Sequence, residues 1–135
     1  MKKLALAIIA TYVILMVTNY VVHSIWLMPD YDLIPLSHRN NVGIQARFWA
    51  MLLGQFIFSA MFAYIYTRGR ENKSWIEQGI KFAILVGFLA VVPTALSQYV
   101  VYIIPYRLVI KWMVAGCVQM LIAGLAVAWI YKDGA

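Results

Sequence analysis

The sequence predicts an all-α integral membrane protein, a bundle of four transmembrane helices. Apolar residues make up 64% of the 135-residue chain and charged residues only 12%, about half the charged fraction of a typical soluble domain. The charges leave four uninterrupted windows, at residues 4–28, 48–67, 82–106 and 112–131. Each window holds 20 or 25 residues, and about 20 residues of α-helix cross a 30 Å hydrocarbon core. The windows are therefore predicted to be four spans of a single domain covering residues 1–135.

The same composition excludes several other classes. A soluble domain of this size must cover a large surface with polar side chains, and eleven basic and five acidic residues are too few. A transmembrane β-barrel needs alternating segments of about ten residues, which the sequence lacks. The net charge of +6 comes from Lys and Arg near the window ends, a pattern typical of membrane topology. No nucleic-acid partner is therefore expected.

The first window predicts an uncleaved span and also helps to set the orientation. It follows Met1-Lys2-Lys3 and has no convincing cleavage site at its end, so it does not resemble a removed signal peptide. Seven Lys and Arg residues fall in the N-terminus, the 68–81 loop and the C-terminus, and four fall on the other side. Because basic residues favour cytoplasmic loops, both termini are predicted to be cytoplasmic.

A weak internal repeat predicts that the bundle is built from two related hairpins. Residues 18–23 (TNYVVH) match 97–102 (SQYVVY), and residues 63–69 match 128–134. The first two segments are 79 residues apart and the second two are 65 residues apart. A single difference in length between the two outer loops explains these unequal separations. The chain then consists of hairpin repeats 1–68 and 79–135, related by a pseudo-two-fold axis along the membrane normal. The alternative is chance similarity between apolar sequences.

Small residues and one proline predict features of helix packing. Lipid tails are as apolar as leucine, so membrane helices associate through close packing and hydrogen bonds. Residues with small side chains recur at four-residue spacing in the third and fourth spans: Gly79, Ala83, Gly87, Gly124 and Ala128. These are predicted to be helix contacts. Pro93 lies inside the third window and is expected to kink its helix.

The candidate site consists of uncharged polar residues within the spans. No Asp, Glu, Lys or Arg lies in any window, which disfavours ion-coupled transport, because such proteins usually place an ionisable residue in the membrane. Asn19 and His23, four residues apart, share one helix face. The predicted cluster, toward the outer half of the bundle, comprises Asn19, His23, Gln55, Ser59, Gln98, Tyr102 and Gln119. It is interpreted either as hydrogen bonding between helices or as a pocket for a ligand or lipid headgroup.

No enzymatic activity and no cofactor are predicted. The sequence contains no metal-spaced set of ligands, no nucleophile with a base, and no phosphate-binding loop. His23 is the one histidine within a span and is an alternative candidate to ligate a haem iron or a chlorophyll magnesium. The only other histidine, His38, lies in a loop, so a bis-histidine haem site would need a dimer. Cys117 has no disulfide partner and is predicted to be a small buried apolar residue.

A set of sparse positions covers most of the chain: 19–23, Trp26, Leu27, 102–105, 108–112, Gly116, Gln119, Gly124 and 130–132. At these positions the chain resembles a family of small four-span bacterial membrane proteins of unknown function. The resemblance implies a four-span fold in the bacterial inner membrane and implies no activity. It also implies that Glu often stands where this chain has Gln119.

The function expected from the sequence is that of a non-catalytic accessory or structural subunit of a larger bacterial membrane complex. The chain has no charge within its spans, almost no soluble part, and small-residue stripes suited to helix partners. The alternative is a protein that binds a small molecule or a lipid in a polar pocket. A transporter, a channel and a haem- or pigment-binding subunit are further alternatives. The expected partners are membrane lipids and either other membrane subunits or a second copy of the chain.

Overall fold

Every regular element of the part of the chain described is a helix. A computed structural model describes residues 1–34 and 41–132, which contain no strand. The α-helices are α1 Lys2–Tyr20, α2 Met28–Asp32, α3 Asn41–Gln45, α4 Phe48–Arg68, α5 Trp75–Val86, α6 Val92–Val101 and α7 Tyr106–Ile130. A π-helical turn at Val21–Trp26 extends α1, and another at Gly87–Val91 joins α5 to α6.

Four continuous helical segments in the described residues are long and apolar enough to cross a membrane. These segments are Lys2–Trp26, Phe48–Arg68, Trp75–Val101 and Tyr106–Ile130. The prediction of an all-α fold with four helices long and apolar enough to span a membrane is thereby confirmed.

The third and fourth helices do not coincide with the charge-free windows. The third begins at Trp75 instead of residue 82, because the Ser74 side chain caps it by accepting a hydrogen bond from the Glu77 amide at 3.3 Å. It ends at Val101, and α7 begins directly after Pro105. Proline favours the start of a helix, where no N–H is needed. Charge-free windows mark the apolar stretch, whereas caps and prolines set where a helix starts and stops.

Two π-helical turns locally widen the backbone hydrogen-bond pattern of the first and third spanning helices. The Leu27 amide donates to the Val22 carbonyl at 2.8 Å, and the Val92 amide donates to the Gly87 carbonyl. Both bonds span five residues instead of four. The second turn directly precedes Pro93, which has no N–H and whose ring crowds the carbonyl four residues earlier. Pro93 thus follows closely on a π-helical turn within the third spanning helix.

Close contact between small residues joins α5 to α7. A Cβ atom built on Gly124 would lie 2.9 Å from the Ala83 Cβ and 2.9 Å from the Gly79 carbonyl oxygen. A Cβ atom built on Gly79 would lie 2.9 Å from the Ala128 Cβ. No larger side chain fits at either glycine without moving a backbone, so the small-residue stripes are helix contacts, as predicted.

The apolar core is concentrated at one end of the bundle. We call the end with Met1, the 69–74 turn and Tyr131 the termini end, and the opposite end, with α2 and the 102–105 connector, the distal end. The main core near the termini end includes Phe62, whose ring meets that of Phe82 edge-on with 4.8 Å between centroids. A smaller cluster at the distal end consists of Ala95, Ile104 and Val109.

Charged residues at the termini end form a local ion-pair cluster. Lys81 and Lys73 both contact the Glu71 carboxylate, and Lys73 lies 3.4 Å from Glu77. Hydrogen bonds from Lys81 and Lys73, reinforced by their positive charges, lower the pKa of the Glu71 carboxyl below its ordinary value. The cluster is exposed to solvent, so its effect on stability is small.

Candidate ligand-binding cleft

An open cleft of about 380 Å³ lies between the two apolar clusters. Its lining residues come from all four spanning helices. Six of its lining side chains are apolar: Leu15, Phe58, Ala90, Val91, Ala95 and Met120. The other seven are polar or amphipathic: Asn19, His23, Gln55, Thr94, Gln98, Trp112 and Gln119.

The structure brings five of the seven predicted site residues together. They are Asn19, His23, Gln55, Gln98 and Gln119. Ser59 is buried and does not line the cleft, and its hydroxyl donates to the Gln55 backbone carbonyl at 2.8 Å. Tyr102 lies beyond the end of α6, is 56% exposed, and borders a separate shallow groove. Ser59 and Tyr102 were predicted to belong to the cluster, and neither lines the cleft.

Three amides from three helices form a continuous hydrogen-bonded chain, which we call the amide relay: Gln119, Asn19 and Gln55. The Gln119 Nε2 donates to Asn19 Oδ1 at 2.8 Å, and Asn19 Nδ2 donates to Gln55 Oε1 at 3.1 Å. Gln119 Nε2 also donates to the Thr18 hydroxyl at 3.0 Å. Thr18 in turn donates to the Ile14 carbonyl at 2.7 Å. The relay joins α7, α1 and α4 on one side of the cleft.

Thr18 was not among the predicted site residues. It belongs to the hexapeptide that suggested a repeat and directly precedes Asn19 in the sequence. Threonines in helices often bond to their own backbone, so its residue type alone does not indicate a link to another helix. Its contact with Gln119 depends on the packing of α1 against α7, which the sequence does not specify.

An aromatic chain of hydrogen bonds closes the distal end of the cleft. The Trp112 indole N–H donates to the Tyr31 hydroxyl at 2.8 Å, and the same hydroxyl lies 2.7 Å from His23 Nδ1. Burial raises the pKa of the Tyr31 hydroxyl, the negative charge of Asp30 adds to the rise, and the Trp112 hydrogen bond opposes it. Tyr31 therefore stays protonated at neutral pH and can donate as well as accept.

An ion pair fixes the short helix α2 across the distal end. Lys111 Nζ lies 2.6 Å from Asp30 Oδ2 and 5.7 Å from the centre of the Trp26 ring. Both charged side chains are less than one third exposed. Pro29 lies in the first turn of α2, and Asp30 and Tyr31 on the same helix contact α7. This pair joins residues 81 positions apart, and no local pattern in the sequence indicates it.

The cleft retains polar groups without partners and has no charged side chain on its walls. Within residues 1–34 and 41–132, the Gln98 side chain and the Gln55 Nε2 make no hydrogen bond. Over the same ranges no group of three or more His, Cys, Asp or Glu is placed to hold a metal ion. His38, the second histidine considered from the sequence, lies outside the described residues.

No protein-family model, curated protein or solved structure matches the chain. The shape and chemistry of the cleft are therefore the basis on which its function is inferred.

Proposed function

We propose that this protein binds an uncharged amphipathic small molecule in the cleft. One observation carries the proposal: the open cleft combines apolar lining side chains with amide atoms that make no hydrogen bond within the described residues. Leu15, Phe58 and Met120 supply apolar surface, and the Gln55 Nε2 and the Gln98 amide supply polar atoms without a hydrogen-bond partner in the described part of the chain. Ligand sites commonly have this composition, with many apolar side chains and a few polar groups that fix orientation.

The size and charge of the cleft narrow the class of ligand. Its volume of about 380 Å³ falls within the range of about 300–1,000 Å³ typical of small-molecule sites. Among the described residues that line it, none is Asp, Glu, Lys or Arg. An ionised group buried without an opposite charge is costly, so the cleft favours a neutral ligand over an ion or a phosphate.

We propose that the ligand enters sideways from the membrane. Both α4 and α6 contribute to the lining, through Gln55 and Phe58 on one side and Thr94 and Gln98 on the other. These residues lie within the candidate spans, and Thr94 is exposed. A membrane-dissolved molecule would therefore reach the site without crossing the distal end, where α2 and its ion pair lie.

The orientation of the protein in the membrane and the origin of its two hairpins are also proposals. We propose a bacterial inner-membrane protein with both termini in the cytoplasm, on the basis of the Lys and Arg distribution. We also propose that the two hairpins arose by duplication. The matched residues Asn19 and Gln98 both line the cleft, which supports the idea, whereas their matched neighbours His23 and Tyr102 lie in different places.

The test is to identify small molecules that remain bound after gentle extraction. The protein is extracted from native membranes into polymer-bounded nanodiscs, and bound molecules are identified by mass spectrometry. Gln98→Leu removes a polar lining group, and Ser97→Leu is the matched control on the adjacent exposed position outside the cleft. A neutral molecule retained by the wild type and Ser97→Leu but lost from Gln98→Leu supports the proposal. Equal recovery from all three proteins, or no bound molecule, contradicts it.

The same preparation tests the other functions expected from the sequence. An accessory subunit would be recovered with a stoichiometric partner protein in all three samples. A haem or chlorophyll held by His23 would give a visible absorption band that His23→Leu abolishes. Either result, without a neutral ligand, would replace small-molecule binding as the assigned function.

A further inference from the structure

A hydrogen bond to a backbone carbonyl determines which atom of each amide in the relay donates and which accepts. A threonine hydroxyl has one proton to donate, and that of Thr18 goes to the Ile14 carbonyl at 2.7 Å. The Thr18 oxygen can therefore only accept from Gln119, which must turn its amide nitrogen toward it at 3.0 Å. The same nitrogen carries a second proton, which goes to Asn19 Oδ1 at 2.8 Å.

The fixed direction determines which atoms face the cleft at the end of the relay. Because Asn19 turns its oxygen to Gln119, its nitrogen faces Gln55 and donates to Oε1 at 3.1 Å. The Gln55 oxygen is thereby used, and its NH₂ group has no acceptor among the described residues. Turning any one amide around would oppose two donors or two acceptors. The relay therefore ends in a pair of N–H donors.

The aromatic chain at the distal end also directs a donor at the cleft. The Tyr31 hydroxyl accepts from Trp112 at 2.8 Å and lies 2.7 Å from His23 Nδ1, and we assign its proton to that nitrogen because no other acceptor among the described residues pairs with it. A neutral imidazole that accepts at Nδ1 carries its proton on Nε2. His23 lines the rim of the cleft, and its Nε2–H has no partner in the described part of the chain.

We infer that the polar group of the ligand is a hydrogen-bond acceptor of the carbonyl class, held by Gln55 and His23. This inference rests on the proposed function and specifies its ligand chemistry. Gln98 can rotate to offer either atom of its amide, so it adapts to the ligand, whereas Gln55 offers only N–H groups. A ligand of the same shape that lacks an acceptor leaves these donors unpaired, and sites of this kind reject such analogues.

Two probe molecules that differ only in the presence of a carbonyl oxygen test the inference. The probes are 4,4′-difluorobenzophenone and 1,1-bis(4-fluorophenyl)ethylene, which share their shape and differ in a carbonyl oxygen replaced by a methylene group. Saturable binding to the full chain in nanodiscs is measured by ¹⁹F NMR, and empty nanodiscs correct for partitioning into lipid. The wild type is expected to bind the ketone at least about tenfold more tightly than the alkene.

Variants connect this preference to the donors. Gln55→Leu is expected to bring the ratio of the two affinities close to one, and Ser97→Leu is expected to preserve it. If Gln55→Leu fails to fold, His23→Leu at the exposed rim is expected to lower the same ratio. Saturable binding of both probes with equal affinity in the wild type overturns the carbonyl inference and leaves the proposed function standing. Absence of saturable binding of either probe overturns both.

Discussion

The same substitution at two positions of α1 is expected to change stability in opposite directions. Thr18 anchors the amide relay, whereas Thr11, two turns earlier, is fully buried with a hydroxyl that has no partner among the described residues. Valine keeps the β-branched shape of threonine and removes the hydroxyl. Thr18→Val should therefore destabilise the protein, and Thr11→Val should stabilise it.

The structure sets the magnitude of each change. Thr18→Val leaves one N–H of the buried Gln119 without its acceptor. An unpaired buried donor costs about 1–3 kcal/mol, while hydrogen bonds between membrane helices average about 0.6 kcal/mol, so a loss of about 1 kcal/mol is expected. Thr11→Val removes an unpaired hydroxyl and is expected to add about 1 kcal/mol. The two variants should differ by about 8 °C in thermal midpoint.

The single cysteine of the chain provides the assay. Cys117 lies on α7 and is partly buried, and a Cβ atom built on Gly87 would lie 3.5 Å from its Sγ. A maleimide dye that fluoresces on reaction with thiols therefore reports unfolding as the thiol becomes fully accessible. The reasoning is refuted if the two valine variants shift the midpoint in the same direction, or if Thr18→Val leaves it unchanged.

Three further predictions concern packing, the distal ion pair and pH. Gly124→Val should lower the free energy of unfolding by about 1–3 kcal/mol, because the larger side chain overpacks against α5. Gly54→Val should not, because nothing lies within 4 Å of a Cβ atom built on Gly54. The thermal midpoints of the two variants test this difference. Lys111→Met should cost about 1 kcal/mol by leaving Asp30 without its ion pair, and should increase proteolysis near α2. Glu71→Gln should slightly lower stability at neutral pH. Because the pKa of Glu71 is lower in the folded state, its carboxylate stabilises the fold at pH values above the ordinary carboxyl pKa. This contribution is lost as the pH falls through the folded-state pKa, so the difference between Glu71→Gln and the wild type should vanish on acidification.

The number and class of the spanning helices could be predicted because they depend on local composition. Charge-free windows indicate spans directly, and the spacing of Gly79, Ala83 and Gly124 indicated that these residues form helix contacts, although not which helices meet. Helix ends were less predictable from the same windows. They depend on single residues such as Ser74 and Pro105, which act through backbone hydrogen bonding and not through hydropathy.

The candidate site could be predicted in part. Polar residues within a span are rare, so Asn19, Gln55 and Gln119 are noticeable in the sequence, and the fold brings them together. Tyr102 was placed with them by its resemblance to His23 in the repeat, but α6 ends before it. The contact of Thr18 with Gln119 and the ion pair between Asp30 and α7 depend on the relative rotation of packed helices, which no local pattern specifies.

Photolabelling by benzophenone tests most directly whether the cleft admits a neutral molecule. Excited benzophenone reacts readily with methionine, and the chain offers a matched pair. Met120 is 6% exposed and lines the cleft, whereas Met61 is 50% exposed on the outer surface of α4. Peptide mass spectrometry of the irradiated protein in nanodiscs should find labelling of Met120 that saturates with benzophenone concentration, and labelling of Met61 that rises linearly. Labelling of Met61 without Met120 would contradict a binding site in the cleft.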